Sequence, residues 1–226
     1  MDHVKILDCT LRDGGYYNNW DFSNKFAKDY IKSLSNSSVN SIEIGFRKPI
    51  STNIGSGQKG LKKIGNFLTT KESFIKKFKF PKNKTIAVMI DLADFLKKNN
   101  FEYLKKNFPD SKLSNIKLVR IACNHNDKSS LPLLIKYLKN KNYMVAANLM
   151  KFTILSDNEI YSFFNLALNA GADYLYLADS FGSCSPNKLN NITKNLQKKG
   201  ININKLGFHS HDNTGSALKN TIAAIK

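Results

Sequence analysis

The feature that most constrains this chain is a rhythm. Short apolar, β-prone runs alternate with amphipathic helical segments at roughly 30-residue intervals, the spacing of a strand plus its crossover helix. The strand-like runs are Val4–Asp8, Ser41–Gly45, Thr85–Ile90, Ile116–Ala122, Tyr143–Leu149, Tyr174–Ala178 and Leu206–His209. Between them, helical spacing predicts helices over Asp21–Leu34, Lys71–Phe78, Leu92–Lys106, Leu131–Asn140, Asp157–Asn169, Asn187–Lys199 and Ser216–Lys226. Phe22, Phe26, Tyr30 and Leu34 share one face of the first helix, and Ser156 or Asp157 caps the fifth. CTLRDGGYYNNW (9–20) reads as an irregular break, and the Gly/Ser-rich stretch 47–60 as a loop long enough to act as a lid or substrate loop.

This alternation requires a parallel sheet, and both a doubly wound sheet and a (β/α)8 barrel satisfy it. Polar residues decide between them. They are expected just after the C-terminal ends of most strands: Arg12 and Asp13, Glu43 and Arg47, Asp91 and Asp94, Arg120 and His125, Asn148, Asp179, and His209 with His211. A barrel brings all such ends to one mouth, whereas an open sheet favours one crevice. The expected fold is therefore an α/β TIM-type (β/α)8 barrel forming a single domain over 1–226, truncated after the seventh βα unit. The missing eighth strand would leave unpaired sheet edges, to be covered by a homo-oligomer or a partner subunit.

Composition removes several function classes. No apolar run approaches the ~20 residues that span a bilayer, and the start MDHVKILDC lacks a signal-peptide pattern, so a cytoplasmic location without membrane partners is expected. Cys9, Cys123 and Cys184 are odd in number and far apart, which argues against a disulfide framework. Thirty-five Lys and Arg against 17 Asp and Glu give a net charge of +18. Nearly all of this is lysine spread through helices and loops with no interleaved basic/aromatic platform, so a solvated surface is favoured over nucleic-acid binding.

Arginine is different. Only Arg12, Arg47 and Arg120 occur, each at or just after the end of a strand-like run, where a planar bidentate cation would matter. His209 and His211 lie one residue apart at a strand end, so their side chains point to the same face. In a barrel Asp13 leaves the first strand at the same mouth. One carboxylate and two imidazoles suit a divalent ion with open positions: Zn²⁺ prefers four-coordinate sites, and mixed oxygen and nitrogen ligation suits Mn²⁺, Mg²⁺, Co²⁺ or Fe²⁺ as well. Such an ion stabilises the enolate of a 2-oxo acid, and Arg12 places a fixed cation on the same oxygen.

At LDCTLRDGG (7–15), SIEIGF (41–46), LADSFGSCSP (177–186) and GFHSHDNTG (207–215) the chain resembles the metal-dependent TIM-barrel lyases and synthases. That family includes 4-hydroxy-2-oxovalerate aldolase, hydroxymethylglutaryl-CoA lyase, and the isopropylmalate and homocitrate synthases. RDGGYYNNWDF is most similar to the aldolase-type branch. The resemblance implies Asp13, His209 and His211 as metal ligands and Arg12 as the enolate-stabilising arginine. It implies Glu43 as an acid ordering the site, and Arg120, Asn148 and Asp179 as groups facing substrate. Tyr16 stands where relatives carry a His or Gln. A free tyrosine, with pKa near ~10, is a poor base, so Tyr17, His125 and a metal-bound water are also candidates for proton transfer. The implied function is a metal-dependent aldolase or C–C lyase working on a small, pyruvate-like 2-oxo acid and an aldehyde. The alternatives are an acyl-CoA-dependent Claisen synthase and a non-catalytic ligand- or partner-binding barrel.

Overall fold

The computed structural model describes residues 4–49, 64–96 and 100–226. His3 and positions 50–60 of the expected lid loop lie outside the described residues. The chain divides into two compact units, one of Met1–Arg120 with Asn140–Tyr143 and one of Ile121–Lys139 with Met144–Lys226.

In the first unit β1 (Leu7–Asp8), β2 (Ser41–Phe46) and β3 (Thr85–Asp91) lie side by side in sequence order, all parallel. Leu7 faces Ser41 and Ile42 faces Ile86. β1 is shorter than Val4–Asp8 because a side chain takes a ladder position: the Ile6 N–H donates to Asn40 Oδ1 at 2.8 Å. CTLRDGGYYNNW is not irregular but winds into two single turns, α1 (Thr10–Asp13) and α2 (Gly15–Asn18). α3 (Asn24–Ser33) starts later than expected, where Ser23 Oγ accepts from the Phe26 N–H and caps it. α4 (Glu72–Ile75) is a single turn. The helix expected over Leu92–Lys106 consists of α5 (Leu92–Phe95) and α6 (Asn100–Asn107) among the described residues. Phe67 anchors an aromatic cluster, edge-on to both Phe22 and Phe74.

β4 (Leu118–Cys123) is buried along its whole length and contributes residues to both units. In the second unit β5 (Met144–Met150), β6 (Tyr174–Ala178) and β7 (Leu206–His209) are again parallel and in sequence order, with Asn148 facing Tyr176 and Ala178 facing His209. Their crossover helices are α7 (Leu131–Lys139), α8 (Asp157–Asn169), α9 (Pro186–Lys198) and α10 (Ala217–Ile225). α8 begins with a full capping box, Ser156 and Glu159 each satisfying the other's backbone N–H. α9 begins with Pro186 behind the Ser185 cap. β5 has a fully buried interior, as expected of a parallel strand covered on both faces.

Three polar residues lie deeper than expected. Glu43, Arg120 and Asn148 sit inside β2, β4 and β5 and not at their ends. Among the described residues no helix is long and apolar enough to cross a membrane.

Candidate functional site

In the first unit the RDGG segment is shaped from both sides. The Cys9 carbonyl accepts from the Arg12 and Asp13 N–H groups at 3.0 and 2.7 Å, which winds the backbone into α1. The Trp20 indole Nε1 donates to the Arg12 carbonyl at 2.7 Å from the buried side of the turn. A Cβ at Gly15 would stand 2.0 Å from Cδ1 of Trp20, so the second glycine of the pair makes room for the indole. Arg12 is thereby turned inward and is 5% exposed.

Its partner is Glu43, which is fully buried. Arg12 Nε donates to Glu43 Oε2 at 2.7 Å, and Arg12 Nη1 to Asp13 Oδ1 at 2.5 Å. From β4, Arg120 Nη1 donates to Glu43 Oε1 and Oε2 at 3.0 and 2.9 Å. One buried carboxylate thus holds two buried guanidinium groups. Burial alone would raise the Glu43 carboxyl, but the charges of Arg120 and Arg12 and their hydrogen bonds outweigh it and hold Glu43 below the ordinary carboxylate range. Burial likewise works against the Arg12 charge, and Glu43 and Asp13 overcome it, so Arg12 is a permanent cation. Cys9, beside this cluster, is pushed up to about 11 by burial and stays a neutral thiol.

Tyr16 is half-exposed and packs edge-on to Trp20 and Phe46, with centroids at 4.8 and 6.2 Å. Burial raises its hydroxyl above the ordinary tyrosine value, against the opposing pull of Arg12 and Lys48. Tyr16 therefore keeps its proton at neutral pH and presents a neutral hydroxyl. Sequence reasoning missed Lys48, which lies over the Phe46 ring at 5.0 Å and pairs with Asp94 at 3.2 Å. Arg47 is also not a site cation. It is fully buried, donating to the Thr70 and Asn107 carbonyls and pairing with Glu72 at 2.9 Å, so it fastens the end of β2 to the chain at 70–72 and 107.

In the second unit the segment after β6 forms a tight loop around Asp179. Its buried carboxylate accepts from the Ser183 and Cys184 N–H groups at 3.1 and 3.0 Å. Asp179 N–H donates to the His209 carbonyl at 2.9 Å, joining this loop to the end of β7. The Asp179 carbonyl lies 2.8 Å from His211 Nδ1. A carbonyl only accepts, so Nδ1 carries the proton and Nε2 is the ring's acceptor nitrogen, the form in which histidine ligates a divalent ion. The His209 and His211 rings lie 4.7 Å apart, both partly buried, as the shared-face argument predicts. Asn148 is buried in β5 and donates to the Ile121 carbonyl of β4 at 3.3 Å. Two expected alternatives are placed elsewhere. Tyr17 is 96% exposed, and His125 points to Lys128 at 2.7 Å and to Glu159 of α8 at 3.8 Å.

A family model described as HMGL-like matches residues 3–226. A 4-hydroxy-2-oxovalerate aldolase from Geobacillus genomosp. 3 is 26% identical over 99% of this chain and 61% of its own length. A homocitrate synthase from Saccharolobus islandicus is 26% identical over the whole chain and 47% of its own length. The chain thus spans less than two thirds of the curated relatives it matches. Among solved structures, the N-terminal domain of a Bacteroides vulgatus protein described as an aldolase superposes with a TM-score of 0.79 at 29% identity, covering 98% of this chain and 69% of that one. The Bacillus subtilis HMG-CoA lyase shares the fold at 16% identity, with a TM-score of 0.73 and coverage of 100% and 74%. The fold is accordingly α/β of the TIM-barrel type, with seven parallel strands among the described residues, and shorter than in these relatives.

Proposed function

The chain belongs to the HMGL-like family, and from that premise we propose that it acts as a divalent-metal-dependent aldolase-type lyase, making or breaking a C–C bond next to the carbonyl of a small 2-oxo acid. The observation that carries the reading is the buried cluster of Arg12, Arg120 and Glu43 beside Asp13. Two guanidinium groups share Glu43, and Asp13 is a second counter-ion to Arg12, so the cluster fixes cationic N–H donors in place for a developing oxyanion, in surroundings that water screens little.

Asp13, His209 and His211 would hold the ion, with Mn²⁺ favoured and Mg²⁺, Co²⁺ or Zn²⁺ compatible with the same donors. When bound, the ion supplies Lewis acidity to the 2-oxo acid's carbonyl. Arg12, held by Glu43, donates toward the oxygen on which negative charge develops. Arg120, Asn148 and Asp179 shape the surface that receives the acid. In the condensation direction a solvent water takes the proton lost from the 2-oxo acid's carbon and Tyr16 gives its own proton to the aldehyde oxygen; both transfers reverse in cleavage.

The test uses protein dialysed against chelator and reloaded with Mn²⁺. Methyl-proton exchange of pyruvate in D₂O should depend on Mn²⁺ and fall by at least a hundredfold in Arg12→Ala. Absence of Mn²⁺-dependent exchange in the parent protein would refute the reading. The homocitrate synthase likeness favours a second reading, acyl-CoA-dependent condensation. It requires thiol release from acetyl-CoA in the presence of a 2-oxo acid.

A further inference from the structure

The most unusual polar side chain outside the charged cluster is on α10. Asn220 is fully buried on a helix whose Leu218, Ile222 and Ile225 are exposed. Its Nδ2 donates to the Cys184 carbonyl at 2.8 Å, while its Oδ1 is buried without a hydrogen-bond partner among the described residues. Burying an amide whose oxygen goes unsatisfied is costly, so the contact its nitrogen makes has to matter.

Cys184 belongs to the loop that carries Asp179. Its N–H donates to Asp179 Oδ2, the Ser183 N–H to Oδ1, and the Thr214 hydroxyl to the Gly182 carbonyl at 2.7 Å. Gly182 has φ +59°, and a Cβ there would lie 2.9 Å from the Asn213 nitrogen and 3.1 Å from the His211 carbonyl oxygen. The loop is therefore pressed against the backbone that carries His211. Its Asp179 carbonyl, in turn, accepts a hydrogen bond from the His211 Nδ1–H at 2.8 Å. A chain of short contacts runs from the α10 side chain through Cys184 and Asp179 to the imidazole.

We propose that Asn220 is a positioning residue: by holding the Cys184 carbonyl it locks the Asp179–Ser185 loop and so fixes the orientation and tautomer of His211. The inference rests on the reading of His211 as a metal ligand. Outer-shell partners of ligating histidines typically change metal affinity 10–100-fold when removed. Leucine at this position would match the apolar character of α10, but it has no donor for the carbonyl. Alanine would leave the carbonyl unsatisfied.

The test compares the full chain with Asn220→Ala and with Asn220→Asp, which keeps the side-chain volume and removes the donor. Imidazole ¹⁵N spectra of the metal-free proteins, taken above pH 8, report the His211 tautomer without any metal. The parent should show the Nδ1–H form, and the folded variant a mixture. Mn²⁺ titration followed by electron paramagnetic resonance should then show a Kd about tenfold weaker in the variant. An unchanged His211 tautomer together with a Kd within twofold of the parent, in whichever variant folds, would overturn the proposal. If the parent shows the Nδ1–H form yet binds no Mn²⁺, the metal reading fails instead, and the tautomer comparison alone decides whether Asn220 positions His211.

Discussion

Replacing Glu43 by Gln tests the charged cluster with the least change in shape. The carboxylate is fully buried and accepts three hydrogen bonds, one from Arg12 and two from Arg120. Gln keeps the volume but removes the charge, so two guanidinium groups 5% and 1% exposed lose their shared counter-ion. Breaking a buried ion pair from one side costs about 3–5 kcal/mol, since the partner's desolvation is no longer offset. At roughly 2–4 °C per kcal/mol for a chain of this size, the melting temperature should fall by about 6–20 °C. The pH dependence identifies the cause. Because Glu43 titrates below the usual carboxylate range when folded, its contribution is complete above about 4.3 and is lost as pH falls through the lower folded value. Urea unfolding of parent and E43Q should therefore show a wide gap at pH 7 that narrows progressively below pH 4.3. A gap under about 1 kcal/mol at pH 7, or one that stays constant into acid, would refute the assignment of Glu43 as an ionised anchor for two arginines.

Two further substitutions separate catalytic from structural roles. Arg47→Met should cost about 3 kcal/mol in urea unfolding, since it removes the buried partner of Glu72 and two donors to backbone carbonyls, yet leave pyruvate exchange per folded molecule unchanged. Tyr16→Phe should lower aldol turnover by roughly 10²-fold, measured with pyruvate and an aldehyde, while methyl-proton exchange stays within twofold of the parent. The proposed role of the Tyr16 hydroxyl predicts this split, because the aldehyde oxygen needs a proton and enolisation does not take one from Tyr16.

Elements were legible where the local signal is self-sufficient. β6, β7 and α8 match their expected bounds residue for residue. α8 carries its own start signal in the Ser156–Glu159 box, and YLYLA and LGFH are short apolar runs set off by the polar neighbours Asp173, Asp179, Lys205 and Ser210. Boundaries failed where a side chain substitutes for a backbone partner, as Asn40 does at Ile6 and Ser23 does ahead of α3. CTLRDGGYYNNW looked irregular because its helical turns are held by Trp20 and by the room left at Gly15, contacts that propensity does not register.

By itself the sequence determined the alternation of strands and helices, the identity of the charged and imidazole side chains, and the shared face of His209 and His211. Periodicity is a local property, and two histidines one residue apart at the end of β7 bring their rings within 4.7 Å. Only the tertiary structure decided what the charges do. Glu43 meets Arg12 across 31 residues and Arg120 across 77, while Arg47 meets carbonyls at Thr70 and Asn107. All three arginines looked alike in the sequence. Two became the cations of a candidate active site and one a structural tie, because the partner of a buried charge is set by where the chain returns and not by its neighbours in sequence.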